Sequence, residues 1–193
     1  MAQESLGPIG GTKITPHALS ETAAGRRTLD ERFRVRCPAF FRLLASILFR
    51  LPPNNRFRRV MMALGMARAY AAANRRDFEL VLTLNDPDAY EYRPSIDLLP
   101  PDMETVYYGE AGYRRFWRYW LEAFQDIRWD PEEILDFGDK ALVTTRQSGH
   151  GSGSGIAVSE PVFQLFTFRR GLVIRQEDFL DRSQALKAAG VQK

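Results

Sequence analysis

Apolar residues in the first half of the chain recur at the spacing of amphipathic helices. One such pattern covers residues 38–51, and the two prolines after Leu51 end it because a residue before proline is disfavoured in the helical conformation. A second pattern covers residues 55–73, and Asp77 can cap a short helix after it. A third covers residues 112–124 and is rich in aromatic side chains. These patterns predict three main helices in this half of the chain.

The second half of the chain has the pattern of β-strands. Apolar segments are separated by tight-turn sequences at residues 138–139 and 169–171. We expect a last helix at residues 182–189, with Asp181 as its cap. The apolar segments predict one short strand and then four strands in an antiparallel meander, at residues 89–94, 127–137, 140–149, 156–169 and 172–180.

Helices followed by a run of strands are typical of α+β folds. The predicted fold is a curved antiparallel sheet packed against three helices, with an extra N-terminal helix. Since three helices do not fill the concave face of such a sheet, the remaining space is predicted to be a pocket. We expect a disordered tail at residues 1–28, a basic amphipathic helical extension at 29–54 and the folded domain at 55–190. The irregular segment 95–109 is expected to form a rim or lid.

The net charge of +3 hides a strong asymmetry along the chain. Between Arg26 and Arg76 there are thirteen arginines and only two acidic residues, Asp30 and Glu31. Residues 77–193 carry thirteen lysines and arginines against twenty acidic residues. Such a split is typical of a nucleic-acid or membrane contact, or of a basic segment that docks on an acidic domain. We expect docking on the same chain or a partner, and no nucleic-acid binding.

The chain has one cysteine, Cys37, so an internal disulfide is excluded and a reducing cytoplasm is the default compartment. No secretion signal is expected, because residues 1–25 lack a compact apolar segment. The two histidines, His17 and His150, provide no metal-ligand spacing. The glycine-rich segment 149–155 precedes a strand rather than a helix, which is not the context of a phosphate loop. We therefore expect a cytoplasmic protein without metal or cofactor.

Four segments resemble one known family in their order and spacing. They are residues 70–78, 86–90, 109–124 and 179–190, within a span of about 135 residues. On these segments the chain resembles the SnoaL-like domains of the nuclear transport factor 2-like superfamily. The resemblance implies a cone-shaped α+β fold with an internal pocket. This fold hosts isomerases, polyketide cyclase-like enzymes, hydrolases and non-enzymatic binders, so it does not by itself define an activity.

The resemblance also implies site residues. Ketosteroid-isomerase-like members place a carboxylate base just before the proline of the first strand, where this chain has Arg93, and arginine does not accept a proton at neutral pH. Members similar to SnoaL-type cyclases and limonene epoxide hydrolase carry an aspartate on the last strand, which matches Asp178. Arg146 matches the hydrolase-type arginine on a middle strand, whereas Ser148 replaces the second aspartate. The resemblance thus implies Asp178 and Arg146 as catalytic residues.

Strand alternation places polar residues beside Asp178. Side chains two apart on a strand share a face, which groups Asp178 with Gln176, and the last hairpin is predicted to pair Gln164 with Gln176 and Val162 with Asp178. Three alternatives stay open: a structural ion pair between Asp178 and Arg146, a bulge near Gly171 that turns Asp178 to the other face of the sheet, and a core role for the tryptophans. The residues expected to line the pocket are Gln164, Gln176, Ser148, Tyr92, Trp117, Trp120 and Phe166.

Two classes of function fit these observations. In the first, the pocket binds a small, mostly apolar or polyketide-like molecule, and any catalysis is cofactor-free acid/base chemistry of the isomerase, cyclase or hydrolase type. In the second, the domain is a non-catalytic binding or dimeric assembly module, and its basic helix docks a partner or a membrane surface. A homodimer is expected because the outer face of the sheet is predicted to expose Phe163, Leu165, Val173 and Phe179.

Overall fold

The computed structural model describes residues 11–14, 26–99, 103–124, 126–153 and 155–191. Within these ranges the chain forms a seven-stranded sheet and six α-helices. The strands are β1 (Thr12–Ile14), β2 (Glu91–Arg93), β3 (Tyr107–Tyr108), β4 (Arg128–Asp136), β5 (Lys140–His150), β6 (Ala157–Arg169) and β7 (Leu172–Phe179). The helices are α1 (Leu29–Arg36), α2 (Pro38–Leu48), α3 (Arg56–Asn74), α4 (Phe78–Val81), α5 (Gly109–Ala123) and α6 (Arg182–Ala189).

The strands form one curved, unclosed sheet in the order β1-β4-β5-β6-β7-β2-β3. Strands β4 to β7 are the predicted antiparallel meander, and β2 pairs in parallel with β7. The parallel contact brings the first strand of the domain beside its last strand, so residues far apart in sequence meet there. The predicted α+β fold class is confirmed.

The turn between β6 and β7 fixes how these two strands pair. Arg170 and Gly171 both have positive φ values, 53° and 78°, which suits a two-residue hairpin turn. A Cβ atom on Gly171 would lie 2.5 Å from the carbonyl group of Ala45 in α2, so only glycine fits there. A register shift follows between Thr167 and Phe168. This bulge turns Val173, which was predicted to face outward, into the inner core.

Aromatic side chains fill most of the concave face of the sheet. Rings pack edge-on or offset, the arrangements that aromatic quadrupoles favour: the centroids of Trp117 and Trp129 lie 4.8 Å apart, and those of Phe116 and Trp120 lie 5.6 Å apart. Less empty space therefore remains on the concave face than the sequence predicted. The aromatic members of this buried cluster include Tyr70, Tyr90, Tyr92, Tyr107, Tyr113, Phe116, Trp117, Trp120 and Trp129.

Helix α6 covers the outer face of the sheet. Phe163 and Leu165, which were predicted to form an exposed dimer face, are buried against Ala185 and Leu186 of this helix. Helices therefore pack on both faces of the sheet, not on one. The apolar patch from which we predicted the homodimer is already covered within the chain, so that argument for a dimer was wrong.

The N-terminal part of the described chain is attached to the domain. Within the predicted disordered tail, Thr12–Ile14 forms strand β1 on the edge of β4, and Ile14 is buried. The rest of that tail up to residue 25, including residue 17, lies outside the described residues. The extension contains two helices rather than one, and a capping box between Thr28 and Glu31 begins α1.

Ion pairs dock the basic segment on the acidic domain of the same chain. Arg27 contacts Asp77 and Glu79, each at 2.6 Å. Deeper in the molecule, Arg58 donates two hydrogen bonds of 2.8 Å to the fully buried carboxylate of Asp136. Such a buried pair is strongly destabilised when one partner is removed. Among the described helices, none is both long and apolar enough to cross a membrane.

Candidate functional site

Three neighbouring strands bring a polar cluster onto the inner face of the sheet. Asp178 and Gln176 lie two residues apart on β7, Gln164 is opposite Asp178 on β6, and Tyr92 is opposite Gln176 on β2. The sequence had predicted Val162 opposite Asp178. The turn pairs Arg169 with Leu172, one residue from the prediction, and the bulge at residues 167–168 adds a second residue of shift. A shift of two preserves which face each side chain occupies. The predicted grouping of the two glutamines with Asp178 is therefore confirmed.

Three neutral groups donate hydrogen bonds to the Asp178 carboxylate. The Tyr92 hydroxyl donates to Oδ2 at 2.7 Å, and the Nε2 atoms of Gln164 and Gln176 each donate to Oδ1 at 3.1 Å. Because both amide groups are used in this way, the two glutamines orient the carboxylate.

A second layer of hydroxyl groups orients the glutamines. Tyr70 donates to Oε1 of Gln164 at 2.6 Å, and Thr145 donates to the same oxygen at 3.2 Å. The hydroxyl of Tyr90 lies 3.5 Å from Oε1 of Gln176, at the long end of a hydrogen bond. With their carbonyl oxygens occupied by these donors, both amides point their nitrogen atoms at Asp178.

Within the described ranges, the Asp178 carboxylate has no cationic partner. No lysine, arginine or histidine there forms an ion pair with it, although Asp178 is half-buried. Burial raises its pKa to about 6, while the hydrogen bonds from Tyr92, Gln176 and Gln164 act in the opposite direction. Burial also raises the pKa of Tyr92, and the nearby negative charge of Asp178 adds to this, so Tyr92 remains a donor.

The empty space around this cluster is divided into two small cavities and one open groove. A cavity of about 10 Å³ adjoins Asp178, which is room for about one water molecule. A second cavity of about 90 Å³ is lined by Gln164, Gln176 and Phe166. An open groove of about 570 Å³ shares Trp120 and Gln147 with the smallest cavity, so these two side chains separate it from Asp178.

The groove has apolar walls and an acidic edge. Its wall residues are Tyr119, Trp120, Phe124, Val158, Val162 and Leu180. The carboxylates of Asp97, Glu122 and Glu160 lie along it, and each of these residues is exposed. This volume lies within the range of small-molecule sites, whereas the two enclosed cavities fall below it.

The predicted tryptophans are part of the site and of the core at once. Trp117 and Trp120 both line the cavity at Asp178, as the sequence predicted. Each is also buried and stacked on another ring: Trp117 lies 5.6 Å from Phe78, and Trp120 lies 5.6 Å from Phe116. The core role of the two tryptophans is therefore confirmed, whereas their contact with a ligand stays a prediction.

Arg146 and Ser148 do not belong to this site. Their neighbours on β5, Thr145 and Gln147, face the interior, so Arg146 and Ser148 face the opposite side of the sheet. The guanidinium group of Arg146 contacts Glu132 at 2.7 Å, and half of its side chain is exposed to solvent. The predicted pairing of Arg146 with Asp178, catalytic or structural, was wrong.

Several polar residues of the site were not predicted from the sequence. Tyr70 and Thr145 were assigned to a helix and a strand without a chemical role, and Gln147 receives a hydrogen bond of 2.9 Å from the indole nitrogen of Trp129. A polar residue at every second position of β5, Thr145 and Gln147, was the available signal. Among the described residues, no group of histidine, cysteine, aspartate or glutamate side chains is arranged to hold a metal ion.

Solved structures share this fold, and one of them was crystallised with a small molecule. TerC, co-crystallised with polyporic acid, is 22% identical with a TM-score of 0.55, covering 64% of this chain and 95% of that chain. A nuclear transport factor 2-like protein of unknown function from Burkholderia pseudomallei is 19% identical with a TM-score of 0.56, covering 64% and 93%. IdmH, a candidate polyketide cyclase from Streptomyces antibioticus, is 19% identical with a TM-score of 0.51, covering 66% and 96%. At these identities the likeness establishes the fold.

The comparison with family models is more specific. No curated protein matches the chain. The model of the SnoaL-like domain matches residues 66–176, more than half of the sequence. This match begins in α3 and ends on β7, two residues before Asp178, and therefore contains Gln164 and Gln176. The chain belongs to the family of SnoaL-like domains.

Proposed function

We propose that this SnoaL-like domain binds a small, mostly apolar molecule, with the body of the molecule in the groove and one polar group directed at Asp178. The observation that carries the proposal is the half-buried Asp178 carboxylate, which has no cationic partner among the described residues, beside a groove of about 570 Å³. The small molecule co-crystallised with TerC and the candidate cyclase activity of IdmH support an organic ligand.

The charges around the groove favour a neutral ligand over an anion. Asp97, Glu122 and Glu160 lie along the groove and Asp178 lies behind its wall, so a negative ligand would meet four carboxylates and no described cation among the lining residues. A neutral hydroxyl group can instead donate a hydrogen bond to Asp178. Trp120 and Gln147 would have to move aside for this contact, since they separate the groove from the carboxylate.

Proton transfer is the chemistry that the Asp178 position supports. Above a pH of about 6 the carboxylate is ionised and can accept a proton from the ligand, and below that pH it can donate one. Gln164, Gln176 and Tyr92 keep the two oxygens in place by hydrogen bonds, so the group is oriented before the ligand arrives. The proposed reaction class is cofactor-free isomerisation, cyclisation or hydration.

A second candidate function is binding without catalysis. It is favoured by one observation, that three donors already occupy the Asp178 carboxylate and leave it few free acceptor sites. In this case Asp178 would select a ligand hydroxyl group but would not take its proton. Turnover in the wild type that is absent from Asp178→Asn, with binding retained, distinguishes catalysis from binding alone.

A matched pair of probes tests the proposed site. We expect 2-naphthol to raise the melting temperature and 2-naphthoate, its anionic match, to have little effect. Saturation at about 100 times the dissociation constant corresponds to about 3 kcal/mol of added stability. Asp178→Asn and Glu160→Ala are the test variants, because both residues belong to the proposed site. Arg146→Gln, on the outer face of the sheet, is the control variant. Stabilisation by the anion alone, or by either probe equally in wild type and Asp178→Asn, would contradict the proposal.

A further inference from the structure

Helix α2 turns its most apolar stripe toward solvent. Phe40, Leu43, Leu44 and Ile47 follow the i, i+3, i+4, i+7 spacing of one helix face, and they are between 44% and 58% exposed. No residue of α2 is buried. A surface helix normally packs such a stripe on the core of its own domain. In α2 the stripe faces solvent instead. A large apolar surface is therefore left without a partner in the described chain.

Contacts on the opposite side fix this orientation. The guanidinium group of Arg42 donates a hydrogen bond of 3.2 Å to the carbonyl oxygen of Thr83. Just after α2, the ring of Phe49 packs 4.5 Å from that of Phe168 on β6. The backbone of Ala45 lies against the β6–β7 turn, as the close approach to Gly171 shows. The stripe is therefore held outward by the fold.

The preceding helix extends the apolar surface. Phe33 of α1 is half exposed, and its ring centroid lies 5.9 Å from that of Phe40 and 5.7 Å from that of Phe41. These contacts join α1 and α2 into one ridge. We call this surface the apolar ridge; it consists of Phe33, Phe40, Leu43, Leu44 and Ile47.

Exposed arginines flank the apolar ridge. Arg36 precedes α2 and Arg50 follows Ile47 by three residues; within the described ranges, neither forms an ion pair, and both are exposed. The only two acidic residues between positions 26 and 76, Asp30 and Glu31, are already paired, with Arg68 of α3 and with Arg75 directly after it. The ridge thus combines apolar side chains with a positive edge that the neighbouring acids do not neutralise.

We propose that the apolar ridge binds the surface of an anionic lipid bilayer. Amphipathic helices of this kind lie parallel to a membrane, with large apolar side chains in the headgroup–acyl boundary and basic side chains at the anionic headgroups. Arg36 and Arg50 form an exposed positive edge beside the ridge, so attraction to a negative surface turns the ridge toward the bilayer.

Charge argues against a second copy of the chain as the occupant. A twofold dimer through the ridge is self-complementary, so it would bring Arg36 and Arg50 of one copy against the same basic edge of the other. Like charges across an interface oppose association. A negative surface has the complementary charge instead. The proposal is independent of the ligand site, because no residue of the ridge lines the groove or the cavity at Asp178.

Co-sedimentation with vesicles tests this proposal on the full chain. We expect binding to phosphatidylcholine vesicles that contain phosphatidylserine, little binding to phosphatidylcholine alone, and loss of binding when the salt concentration rises from about 0.1 M to about 1 M. Leu43→Glu with Leu44→Glu should weaken binding at least ten-fold. Arg36→Gln with Arg50→Gln should weaken it on anionic vesicles while leaving the ridge intact. Ile96→Glu, at an apolar residue outside the ridge that is even more exposed, is the control and should bind as wild type.

Three results would overturn the proposal. They are absence of wild-type binding to anionic vesicles, equal binding to neutral vesicles, and binding that Leu43→Glu with Leu44→Glu does not change. Light scattering adds a further discriminating result. A dimer that this double substitution dissociates, in a chain that does not bind vesicles, assigns the ridge to a second copy and overturns the membrane proposal. Circular dichroism of each variant verifies folding, which should be unaffected because the substituted side chains are exposed.

Discussion

Replacement of Asp178 by asparagine should make the protein more stable at neutral pH. The half-buried carboxylate accepts hydrogen bonds from three neutral donors and has no cationic partner among the described residues, and its pKa is raised from 3.8 to about 6. A raised pKa means that the ionised form is less favourable in the folded state than in the unfolded state. Asparagine has nearly the same shape and carries no charge, so it removes this cost while keeping a carbonyl oxygen for Gln164 and Gln176.

The size of the effect follows from the pKa shift. A shift from 3.8 to about 6 corresponds to about 3 kcal/mol at pH values above 6. Below pH 3.8 the group is protonated in both states and contributes no pH dependence. Between these values the folded protein holds a proton that the unfolded chain releases, so the free energy of unfolding contributed by Asp178 falls as the pH rises. The advantage of Asp178→Asn should therefore grow across this window.

Urea unfolding of the two proteins between about pH 4 and about pH 8 measures this difference. We expect Asp178→Asn to gain up to about 3 kcal/mol at the upper end and little at the lower end. Asp136→Asn is the matched control, since Asp136 is a buried carboxylate with a cation, Arg58. Its replacement leaves that cation unpaired and should cost about 3–5 kcal/mol. A loss of more than about 1 kcal/mol in Asp178→Asn at high pH would show a structural role and refute the reasoning.

Four further predictions follow from the structure. Leu165→Ala should lower the free energy of unfolding by about 2–5 kcal/mol, because α6 buries Leu165 completely; a change near zero would mean that α6 does not cover the sheet. Ile14→Ala should lower it by about 2 kcal/mol or more if β1 is packed in solution, and a neutral result would support a dispensable N-terminal segment. Gly171→Ala should cost more than about 1 kcal/mol, since its φ is positive and its Cβ would meet Ala45; wild-type stability would contradict that contact. If turnover is found, kcat/KM should rise with pH around a midpoint near 6 when Asp178 is the base, and a pH-independent rate would exclude that role.

Local patterns in the sequence were sufficient to predict the order of elements and one half of the site. Strand alternation is a two-residue period, so the grouping of Gln164, Gln176 and Asp178 survived a pairing error of two residues. A one-residue error would have turned Gln164 to the outer face. The turn at Gly171 and the bulge at residues 167–168 together set this register, and only the turn is evident from the sequence.

The orientation of β5 could not be predicted in the same way. Ala141, Leu142 and Val143 are all buried, because α6 covers the outer face while the aromatic core covers the inner one. A strand that is apolar on both faces has no alternation from which to assign the faces. The resemblance to hydrolase-type members therefore placed Arg146 toward the pocket, and the inward contacts of Thr145 and Gln147 in the structure show that it lies on the other side.

The outward orientation of α2 was also beyond the sequence. Its apolar spacing is that of a core-facing helix, and the pattern alone does not say which way the stripe points. The structure reverses it, since Arg42 contacts Thr83 on the inner side. Because the apolar stripe of α2 faces solvent instead of the core, we interpret it as a candidate interaction surface.

The account depends most directly on the ionisation of Asp178, which carbon-detected NMR of its side-chain carboxyl group measures. The signal is assigned by its loss in Asp178→Asn, and its chemical shift is followed as the pH is raised. The account predicts a midpoint near 6, as expected for a partly buried carboxylate held by neutral donors. A midpoint at or below the ordinary 3.8 would mean that the group is hydrated or paired with a cation, and would contradict the proposed role of Asp178.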